Sequence, residues 1–532
     1  MNRSGIAAAV VMAATLLTVR AQAPDPLVVG TSAGAIRGVS RMGGGAEFLG
    51  IPYAEPPVGE LRWHEPVPAK PWTGTRDAAR FGAPCAQPDL GAWNRRDAAS
   101  GKEDCLFLNV ITPEWPAPQK PLPVMLWLHG GANAGGTASS VLYKDGTLAG
   151  HGILLVTVNY RLSVFGFLAH PGLTRESAHG SSGNYGIEDQ ILALRWVREN
   201  IARFGGDPGN ITVFGQSAGA LDTSLLMTSI AKNEFQKAIA ESGAAFMNHL
   251  PTLAEAEKTG VEFASSVKAP AGDDSVKFLR GLGPEELLKA VTEFEAKHPQ
   301  GVGPIVDGWA IPQSPAGVFA AGHASAIPLL IGVTTREFGS GTFAGNAQPD
   351  RISALIKTEA GSHADEALKL YPVSDASASP DPLYGSFADQ WFADFRFHCP
   401  AVSEAAWHSR AGQPVYVYQF DHPIPGQEAQ GAVHSSDLPY VFGYFPRAGN
   451  ISGKFTEVDL RLADRMETYW TNFSKTGNPN SKDVANWPRL TESGGYLEFM
   501  PDGHAEARSS HLRGAQCALY GEILNDHMHG AQ

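Results

Sequence analysis

Hydrophobic residues along the chain form short continuous runs that stop abruptly at glycine or polar residues. The clearest runs are Leu122–Leu128, Ile153–Val158 and Ile211–Phe214. Uninterrupted apolar runs of this length are typical of strands buried on both faces, as in a parallel sheet covered by helices. Near the start, Leu27–Val29 and Ala35–Arg37 predict two shorter strands joined by a Gly-rich turn. The pattern therefore predicts a central, mostly parallel sheet.

Helical periodicity lies between these runs. Over Tyr185–Phe204, apolar residues recur at spacings of three and four, which predicts a helix with one buried face. Gly205–Gly209 ends this helix and leads into the third apolar run. Strand–helix–strand alternation of this kind indicates the α/β class, with helices flanking the sheet. Residues 251–300 predict further helices with acidic faces, which we expect to form a large helical insertion above the sheet.

The N-terminus has the three parts of a secretory signal peptide. Met1–Ser4 carries a basic residue, Gly5–Val19 is apolar, and Ala21–Ala23 fits an A-x-A cleavage site. An anchored helix is the alternative, but the apolar segment is shorter than the ~20 residues that span a bilayer. We expect residues 1–23 to be removed near Ala23, and residues 24–532 to form a single secreted or periplasmic domain without a second transmembrane segment.

Four cysteines remain: Cys85, Cys105, Cys399 and Cys517. An even number in an exported chain predicts two disulfides, for which the sequence allows three pairings. A loop of about 20 residues closes at modest entropic cost, which favours Cys85–Cys105 and leaves Cys399–Cys517 as the second pair. Four reduced, buried thiols are the alternative if the chain is not exported.

The chain has 532 residues, of which 43% are hydrophobic, and a formal net charge of −13 at pH 7. An acidic chain without a Lys/Arg cluster argues against nucleic acid and anionic membrane surfaces as partners. The charge does not exclude a small neutral molecule, which is the class of partner that we expect.

The pattern G-x-S-x-G, in which a serine can act as a nucleophile, occurs twice, in Gly30–Gly34 and in Gly215–Gly219. In an active motif the serine projects from a sharp strand-to-helix turn, and the flanking glycines leave room for the strained backbone. Ser217 follows a predicted buried strand and precedes a predicted helix, whereas Ser32 precedes every predicted core strand. We therefore predict that Ser217 is the nucleophile and that Ser32 is a turn residue.

A Gly-rich segment, His129–Ala132, directly follows the first long apolar run. Hydrolases with this nucleophile motif place backbone N–H donors there, where they stabilise the negative charge that develops on a carbonyl oxygen. Gly131 and Ala132 are the expected donors, together with Ala218 at the start of the helix after the serine. We expect His129 itself to be structural, and a turn without any catalytic role is the alternative interpretation of this segment.

Several longer segments are distinctive of one family. They include Phe48–Pro57, Glu103–Val110, Gly183–Gln190 and Phe204–Pro208. With the serine motif, they make the chain resemble the type-B carboxylesterases, which include cholinesterases, para-nitrobenzyl esterases and some fungal lipases. The resemblance extends roughly from Leu27 to Cys517. It implies an α/β-hydrolase fold and hydrolysis of carboxylic esters with no metal or organic cofactor.

The resemblance also implies the rest of a catalytic triad, in the chain order serine, acid, histidine. His434 matches the histidine of the family and is the expected base. Glu337 matches the acid, although Phe338 stands where the family usually has glycine. Asp307 is the alternative carboxylate, but the dipeptide that it begins, Asp-Gly, is typical of a turn.

Further residues match supporting positions of the family. Ser242 matches a serine that hydrogen-bonds the acid, although a polar residue at a helix end is the alternative. Gln216 stands where cholinesterases carry a glutamate that helps to hold a cation, so we expect Trp93 to be an aromatic wall residue and not a site for quaternary ammonium. The family commonly pairs cysteines at the positions of Cys85–Cys105 and Cys399–Cys517.

The expected substrate is a small neutral or aromatic ester. A feruloyl or tannin-type esterase and a lipase are alternatives within the family. A non-catalytic binding protein is an alternative of another class, because some cholinesterase-like adhesion proteins have lost the serine or the histidine. Ser217, Glu337 and His434 are all present here, which favours an enzyme. The sequence does not distinguish a monomer from a dimer.

Overall fold

A computed structural model describes residues 27–247, 250–272, 274–298, 301–338, 348–447, 449 and 451–529. The predicted signal peptide, residues 1–23, lies outside the described residues. Within them, we find no helix that combines the length and the apolarity needed to cross a membrane.

The strands form a small sheet and a large one. In chain order they are β1 Val28–Gly30, β2 Ala35–Arg37, β3 Val39–Ser40, β4 Ala46–Pro52, β5 Thr75–Asp77, β6 Phe107–Thr112, β7 Leu122–Leu128, β8 Leu154–Val158, β9 Gly206–Gln216, β10 Lys237–Glu241, β11 Leu329–Thr334, β12 Val415–Phe420, β13 Tyr496–Phe499 and β14 Ala505–Arg508. The large sheet has the order β14-β13-β12-β11-β10-β9-β7-β8-β6-β4-β3, and β1, β2 and β5 form the small sheet. Neighbours from β13 to β8 are all parallel, and the outer pairs are antiparallel. The predicted mostly parallel central sheet is confirmed.

Helices flank the sheet and rise above it. The α-helices are α1 Arg95–Ser100, α2 Val141–Lys144, α3 Ser163–Phe167, α4 Pro171–Glu176, α5 Tyr185–Asn200, α6 Ala218–Leu226, α7 Leu253–Ser266, α8 Asp274–Gly281, α9 Pro284–Glu295, α10 Pro315–Ala320, α11 Pro349–Ala360, α12 Ala364–Leu370, α13 Phe387–Ala393, α14 Cys399–Arg410, α15 Leu438–Val441, α16 Glu457–Thr476 and α17 Gly514–His529. Short 3₁₀ helices occupy Gly59–Leu61, Leu148–His151, Ile201–Phe204, Gly361–His363 and Glu428–Gln430, and a π-helix occupies Asp394–His398.

The long apolar runs are buried on both faces of the large sheet. In β7, Val124 and Leu126 pack into one hydrophobic core, while Met125 and Trp127 pack into another. The apolar stripe of α5 lies in the first core, and that of α16 lies in the second. Because helices cover both faces, no residue of these strands has to be polar, and the runs are therefore continuous.

The structure refines the limits of two predicted elements. The helix expected over Tyr185–Phe204 is α-helical only to Asn200 and continues as a 3₁₀ turn, which ends at Gly205 with a φ of 89°. The third apolar run is the inner part of β9, which begins earlier, at Gly206, because that residue already pairs with Leu122 of β7.

The segment after residue 250 forms the predicted helical insertion. Its helices α7, α8 and α9 share a separate hydrophobic cluster, to which Phe263, Leu279 and Leu287 contribute. The same cluster includes Phe165 of α3, so the insertion is anchored to the main body. A capping box at Thr252 fixes the start of α7.

Two disulfides cross-link the chain. Cys85 is bonded to Cys105 and Cys399 to Cys517, the pairing that the family resemblance implies. The first disulfide encloses the loop that carries α1. The second joins α17 to the first residue of α14. All four cysteines are bonded, so the alternative of four reduced thiols is not adopted.

Candidate active site

Ser217 lies at the sharp junction between β9 and α6. Its backbone has a φ of 59° and a ψ of −123°, and its N–H donates to the carbonyl oxygen of Glu241 at 2.8 Å. A Cβ atom on Gly215 would lie 2.4 Å from the carbonyl carbon of Gly219, and one on Gly219 would lie 2.0 Å from the carbonyl oxygen of Leu128. The turn that holds the serine therefore has room for glycine at both positions and for no larger residue.

Glu337 and His434 form a close pair beside the serine. His434 Nδ1 lies 2.5 Å from Glu337 Oε2, and the backbone N–H of His434 donates to the carbonyl oxygen of Glu337 at 2.9 Å. Glu337 Oε1 accepts a hydrogen bond from the N–H of Thr334, at the end of β11, at 2.8 Å. Burial raises the pKa of the Glu337 carboxyl. His434 and the other polar neighbours of the carboxyl lower its pKa by a larger amount together, so the pKa is lowered overall. The carboxylate is therefore ionised at neutral pH.

Two aromatic rings hold the imidazole of His434. The ring of Phe338 lies 4.2 Å from that of His434, centre to centre, and the ring of Phe397 lies 5.0 Å away. Phe338 is the residue that departs from the family pattern, and here it packs directly on the imidazole. Sequence reasoning missed Phe397, which lies in the π-helix and carries no motif.

The other ring nitrogen of His434 contacts Gln216. The two Nε2 atoms are 3.1 Å apart. With the imidazole proton on Nδ1, facing Glu337, the amide of Gln216 donates to His434 Nε2. Ser217 Oγ makes no hydrogen bond to any described residue. The sequence suggested a supporting role for Gln216. It did not predict the contact with His434, which forms only when the chain is folded.

The Gly-rich segment after β7 forms a tight loop over the serine. Gly131 has a φ of 120° and Ala132 a φ of 57°. The N–H groups of Ala134 and Gly135 both donate to the carbonyl oxygen of Gly131, at 3.0 and 2.9 Å. Ala218 is the first residue of α6, so its N–H has no acceptor within the helix. All three expected donors line the same cavity as the serine.

His129 and Ser242 are buried near these groups. His129 stacks on Tyr160 at 4.5 Å, and burial lowers its pKa to about 4, which agrees with a structural role. Ser242 is fully buried and helps to lower the pKa of Glu337, although its Oγ makes no hydrogen bond of standard geometry within the described residues.

The two alternative residues lie in turns. The N–H of Ser32 donates to Asn200 Oδ1 at 2.7 Å, in the turn between β1 and β2. Asp307 Oδ1 accepts hydrogen bonds from the N–H groups of Trp309 and Ile311, at 3.1 and 2.8 Å, and so closes its own turn. Neither residue lines the cavity into which Ser217 opens.

Ser217 and His434 open into a cavity of about 2170 Å³, called here the active-site cavity. Aromatic residues from several elements line it, and they include Trp93, Phe246, Phe338, Phe395 and Phe397. Trp93 is 48% exposed, and its ring edge lies 3.0 Å from where a Cβ atom on Gly135 would be. The tryptophan is therefore a wall residue beside the Gly-rich loop, and the cavity favours apolar groups.

Comparisons with known proteins identify the family of this chain. Residues 25–520 match the Carboxylesterase family. The para-nitrobenzyl esterase of Bacillus subtilis is 37% identical over 474 residues, which cover 87% of this chain and 93% of the relative. Fumonisin B1 esterase of Sphingopyxis macrogoltabida is 35% identical over 511 residues, which cover 93% and 91% of the two chains. The solved structure of carboxylesterase Est55 of Geobacillus stearothermophilus has a TM-score of 0.80 at 33% identity, covering 93% of this chain and 100% of that one. This chain therefore belongs to the carboxylesterase family and is a carboxylic ester hydrolase with the α/β-hydrolase fold.

Proposed function

We propose that the protein is a serine carboxylesterase that works through an acyl-enzyme on Ser217. His434 is the general base and acid, and Glu337 orients and stabilises its imidazole. The observation that carries the proposal is the 2.5 Å contact between His434 and the buried Glu337 beside a serine held on a strand-to-helix turn. A serine becomes nucleophilic when a base of this kind accepts its proton.

The reaction begins when the Ser217 hydroxyl replaces the Gln216 amide at His434 Nε2. His434 removes the hydroxyl proton as Ser217 Oγ bonds to the ester carbonyl carbon, which gives a tetrahedral intermediate. The N–H groups of Gly131, Ala132 and Ala218 stabilise its oxyanion, and each such donor contributes roughly 3 kcal/mol to lowering a barrier.

The intermediate then collapses. The bond to the alcohol oxygen breaks, and His434 returns the proton to the leaving alcohol. In the second half of the reaction His434 takes a proton from water as the water oxygen bonds to the acyl carbon. The bond from that carbon to Ser217 Oγ then breaks, His434 returns the proton to Oγ, and the carboxylic acid leaves. Glu337 stays ionised throughout and stabilises the imidazolium, in keeping with its lowered pKa.

We propose small neutral or aromatic esters as the substrate class. The active-site cavity has aromatic walls, and the residue before the nucleophile is the neutral Gln216. Relatives are named for para-nitrobenzyl and fumonisin esters, so para-nitrobenzyl esters are the first substrates to test. A panel of acyl chain lengths and aromatic acids would separate this class from feruloyl, tannin-type and lipase activity. Choline esters cleaved faster than matched neutral esters would contradict the proposal.

We also propose that the protein works outside the cytoplasm. Two disulfides support this location, because disulfides persist in oxidising compartments. N-terminal sequencing of the protein recovered from the periplasm or medium would test removal of residues 1–23. A mature chain that still begins at Met1 would contradict it.

Ser217→Ala tests the catalytic proposal directly. We expect loss of p-nitrophenyl butyrate hydrolysis and loss of stoichiometric labelling by an organophosphonate, with an unchanged melting temperature. Ser32→Ala is the matched control, because Ser32 lies in the second G-x-S-x-G motif of the same chain and should keep full activity. Substantial turnover by Ser217→Ala would overturn the assignment.

A further inference from the structure

Two buried amide side chains converge on the carboxylate of Asp222 in α6. Asn133 Nδ2 donates to Asp222 Oδ1 at 2.9 Å, and Gln190 Nε2 donates to Asp222 Oδ2 at 2.6 Å. Asp222 and Gln190 are 0% exposed and Asn133 is 2% exposed. Burying a carboxylate costs free energy even when it is hydrogen-bonded, and the helix around it is otherwise largely apolar. An apolar residue at position 222 would cost less free energy to bury than this carboxylate. The hydrogen bonds of Asp222 are therefore expected to serve a purpose.

Asn133 belongs to the loop that supplies two of the proposed oxyanion donors. It follows Ala132 directly, and the two residues have φ values of 55° and 57°. Consecutive non-glycine residues seldom adopt this left-handed conformation, so the loop needs contacts that hold it. Two contacts do so. The carbonyl oxygen of Asn133 accepts the N–H of Ser163 at 2.7 Å, and its side chain is bound to Asp222.

The third proposed donor lies on the same helix as Asp222. Ala218 is the first residue of α6, and Asp222 follows about one turn later. One carboxylate thus joins the loop of Gly131 and Ala132 to the helix of Ala218. Movement of the loop relative to the helix would separate the donors that have to meet at a single oxygen atom.

We propose that Asp222 is a positioning residue for the oxyanion hole, acting through Asn133 to fix the Gly131–Ala132 loop against the start of α6. The proposal rests on the proposed function, since it assumes that the three N–H groups bind the oxyanion formed at Ser217.

The hydrogen-bond pattern also defines which replacements can restore the link. Both partners of Asp222 donate, so an ionised carboxylate satisfies them without rearrangement. Asn133 Oδ1 and Gln190 Oε1 are buried and have no partner within the described residues. An amide at position 222 could therefore keep both contacts if one neighbouring amide turned over. Burial raises the pKa of Asp222 to about 7, against the effect of its two hydrogen bonds.

The test compares Asn133→Gly, Asp222→Ala and Asp222→Asn in the full chain. The measured quantities are kcat and KM for p-nitrophenyl butyrate. The number of active sites is determined by titration with an organophosphonate, and kcat is expressed per titrated site. We expect kcat of Asn133→Gly and Asp222→Ala to fall by about 10- to 100-fold, because small misplacements of catalytic groups have effects of that size. KM should stay within about threefold. Asp222→Asn should recover most of the lost kcat. The double variant Asn133→Gly/Asp222→Ala should be no slower than the slower single variant, because both break the same link.

Glu404 provides a matched control. Its buried carboxylate also binds α6, accepting the Ser224 hydroxyl at 2.7 Å, and its second oxygen accepts the N–H of Ala245 at 2.7 Å. Burial raises its pKa to about 7, as for Asp222, but it does not contact the Gly-rich loop. Glu404→Gln should keep kcat within about twofold of the native value, which separates the effect of altering any buried carboxylate beside α6 from a loss of donor geometry.

Two results would overturn the proposal. One is a kcat per titrated site of Asn133→Gly within twofold of the native enzyme, which decides the matter even if Asp222→Ala fails to fold. The other is an equal fall in Glu404→Gln. If either result is found and the Ser217→Ala variant is inactive, this proposal fails but the proposed function stands. Turnover by Ser217→Ala would instead overturn the proposed function, and this proposal with it.

Discussion

His434 and Glu337 are joined twice, once by their side chains at 2.5 Å and once by the backbone N–H of His434, which donates to the Glu337 carbonyl oxygen at 2.9 Å. The double contact fixes both the position and the orientation of the imidazole. It leaves Nδ1 at the carboxylate and Nε2 at the amide of Gln216, a residue that also lines the active-site cavity. The proposed base therefore needs no rearrangement of its own before it accepts a proton.

Glu337→Gln should lower kcat by about 10³- to 10⁴-fold, because an amide cannot stabilise the imidazolium and favours the wrong tautomer. Steady-state hydrolysis of p-nitrophenyl butyrate, normalised to titrated sites, measures the loss. Asp307→Asn is the control, since that carboxylate accepts hydrogen bonds from its own turn and from the Ser181 hydroxyl and none from His434, and it should keep kcat within about twofold. Comparable losses in the two variants would mean that Glu337 is not the acid of the triad.

Gln216→Glu should move the acid limb of the kcat/KM profile to higher pH by about one unit, because a carboxylate 3.1 Å from His434 Nε2 favours the protonated imidazole, which is inactive as a base. The same change should raise the rate on choline esters relative to neutral ones. The measurement is kcat/KM between pH 5 and 9 in the native enzyme and the variant. Gln216→Ala adds no charge and removes only a neutral donor, so it should move the limb by much less than Gln216→Glu. An unshifted profile for Gln216→Glu would show that this side chain does not act on the base.

Gly219→Ala should inactivate the enzyme and destabilise it by several kcal/mol, because the added Cβ atom would lie 2.0 Å from the carbonyl oxygen of Leu128 and cannot be accommodated without moving β7. Gly521, within α17, has open space where a Cβ atom would lie. Gly521→Ala should therefore keep activity and stabilise the helix by up to about 1 kcal/mol. Thermal melts and p-nitrophenyl butyrate assays of both variants check the pair. An active Gly219→Ala enzyme would contradict the geometry of the serine turn.

Glu404→Gln should be more stable than the native protein at pH 8 but not at pH 4. Burial raises the pKa of Glu404 from 4.5 to about 7 in the folded chain. The folded chain therefore holds this proton more tightly than the unfolded chain does. The resulting contribution to the free energy of unfolding is complete below pH 4.5 and is lost as the pH rises through about 7. Glutamine removes that loss, which amounts to about 3 kcal/mol at pH 8. Urea unfolding of both proteins at several pH values gives the difference in free energy of unfolding. A difference independent of pH would contradict the raised pKa.

The sequence alone was sufficient to predict features with a repeating hydrophobic pattern or a fixed local geometry. Continuous apolar runs identified β7, β8 and β9 because these strands are buried on both faces. The two copies of G-x-S-x-G were separable because only Ser217 follows such a strand. In each case the decisive information lies within about 20 residues of the chain, which is the range over which periodicity and turn chemistry operate.

Contacts between distant single residues outside the motifs of the family escaped this reasoning. Asn133 and Asp222 are 89 residues apart, and neither belongs to a periodic pattern. The contact of Gln216 with His434 spans 218 residues. One local signal was available, since Asp222 is an acidic residue in an otherwise largely apolar helix, and a buried carboxylate needs partners. The identity of those partners depends on how the loop and two helices approach each other in the fold.

The disulfide between Cys399 and Cys517 has a consequence for the choice of ligand as well as for folding. It holds the start of α17, and further along the same helix Tyr520, Ile523 and Met528 line the active-site cavity. The helix therefore serves as a fixed side of the chamber in which an ester must fit. Loss of this one bond should therefore free that side of the chamber, and hydrolysis of p-nitrophenyl esters of bulky acids by Cys399→Ser/Cys517→Ser would measure the change in the acyl groups that fit.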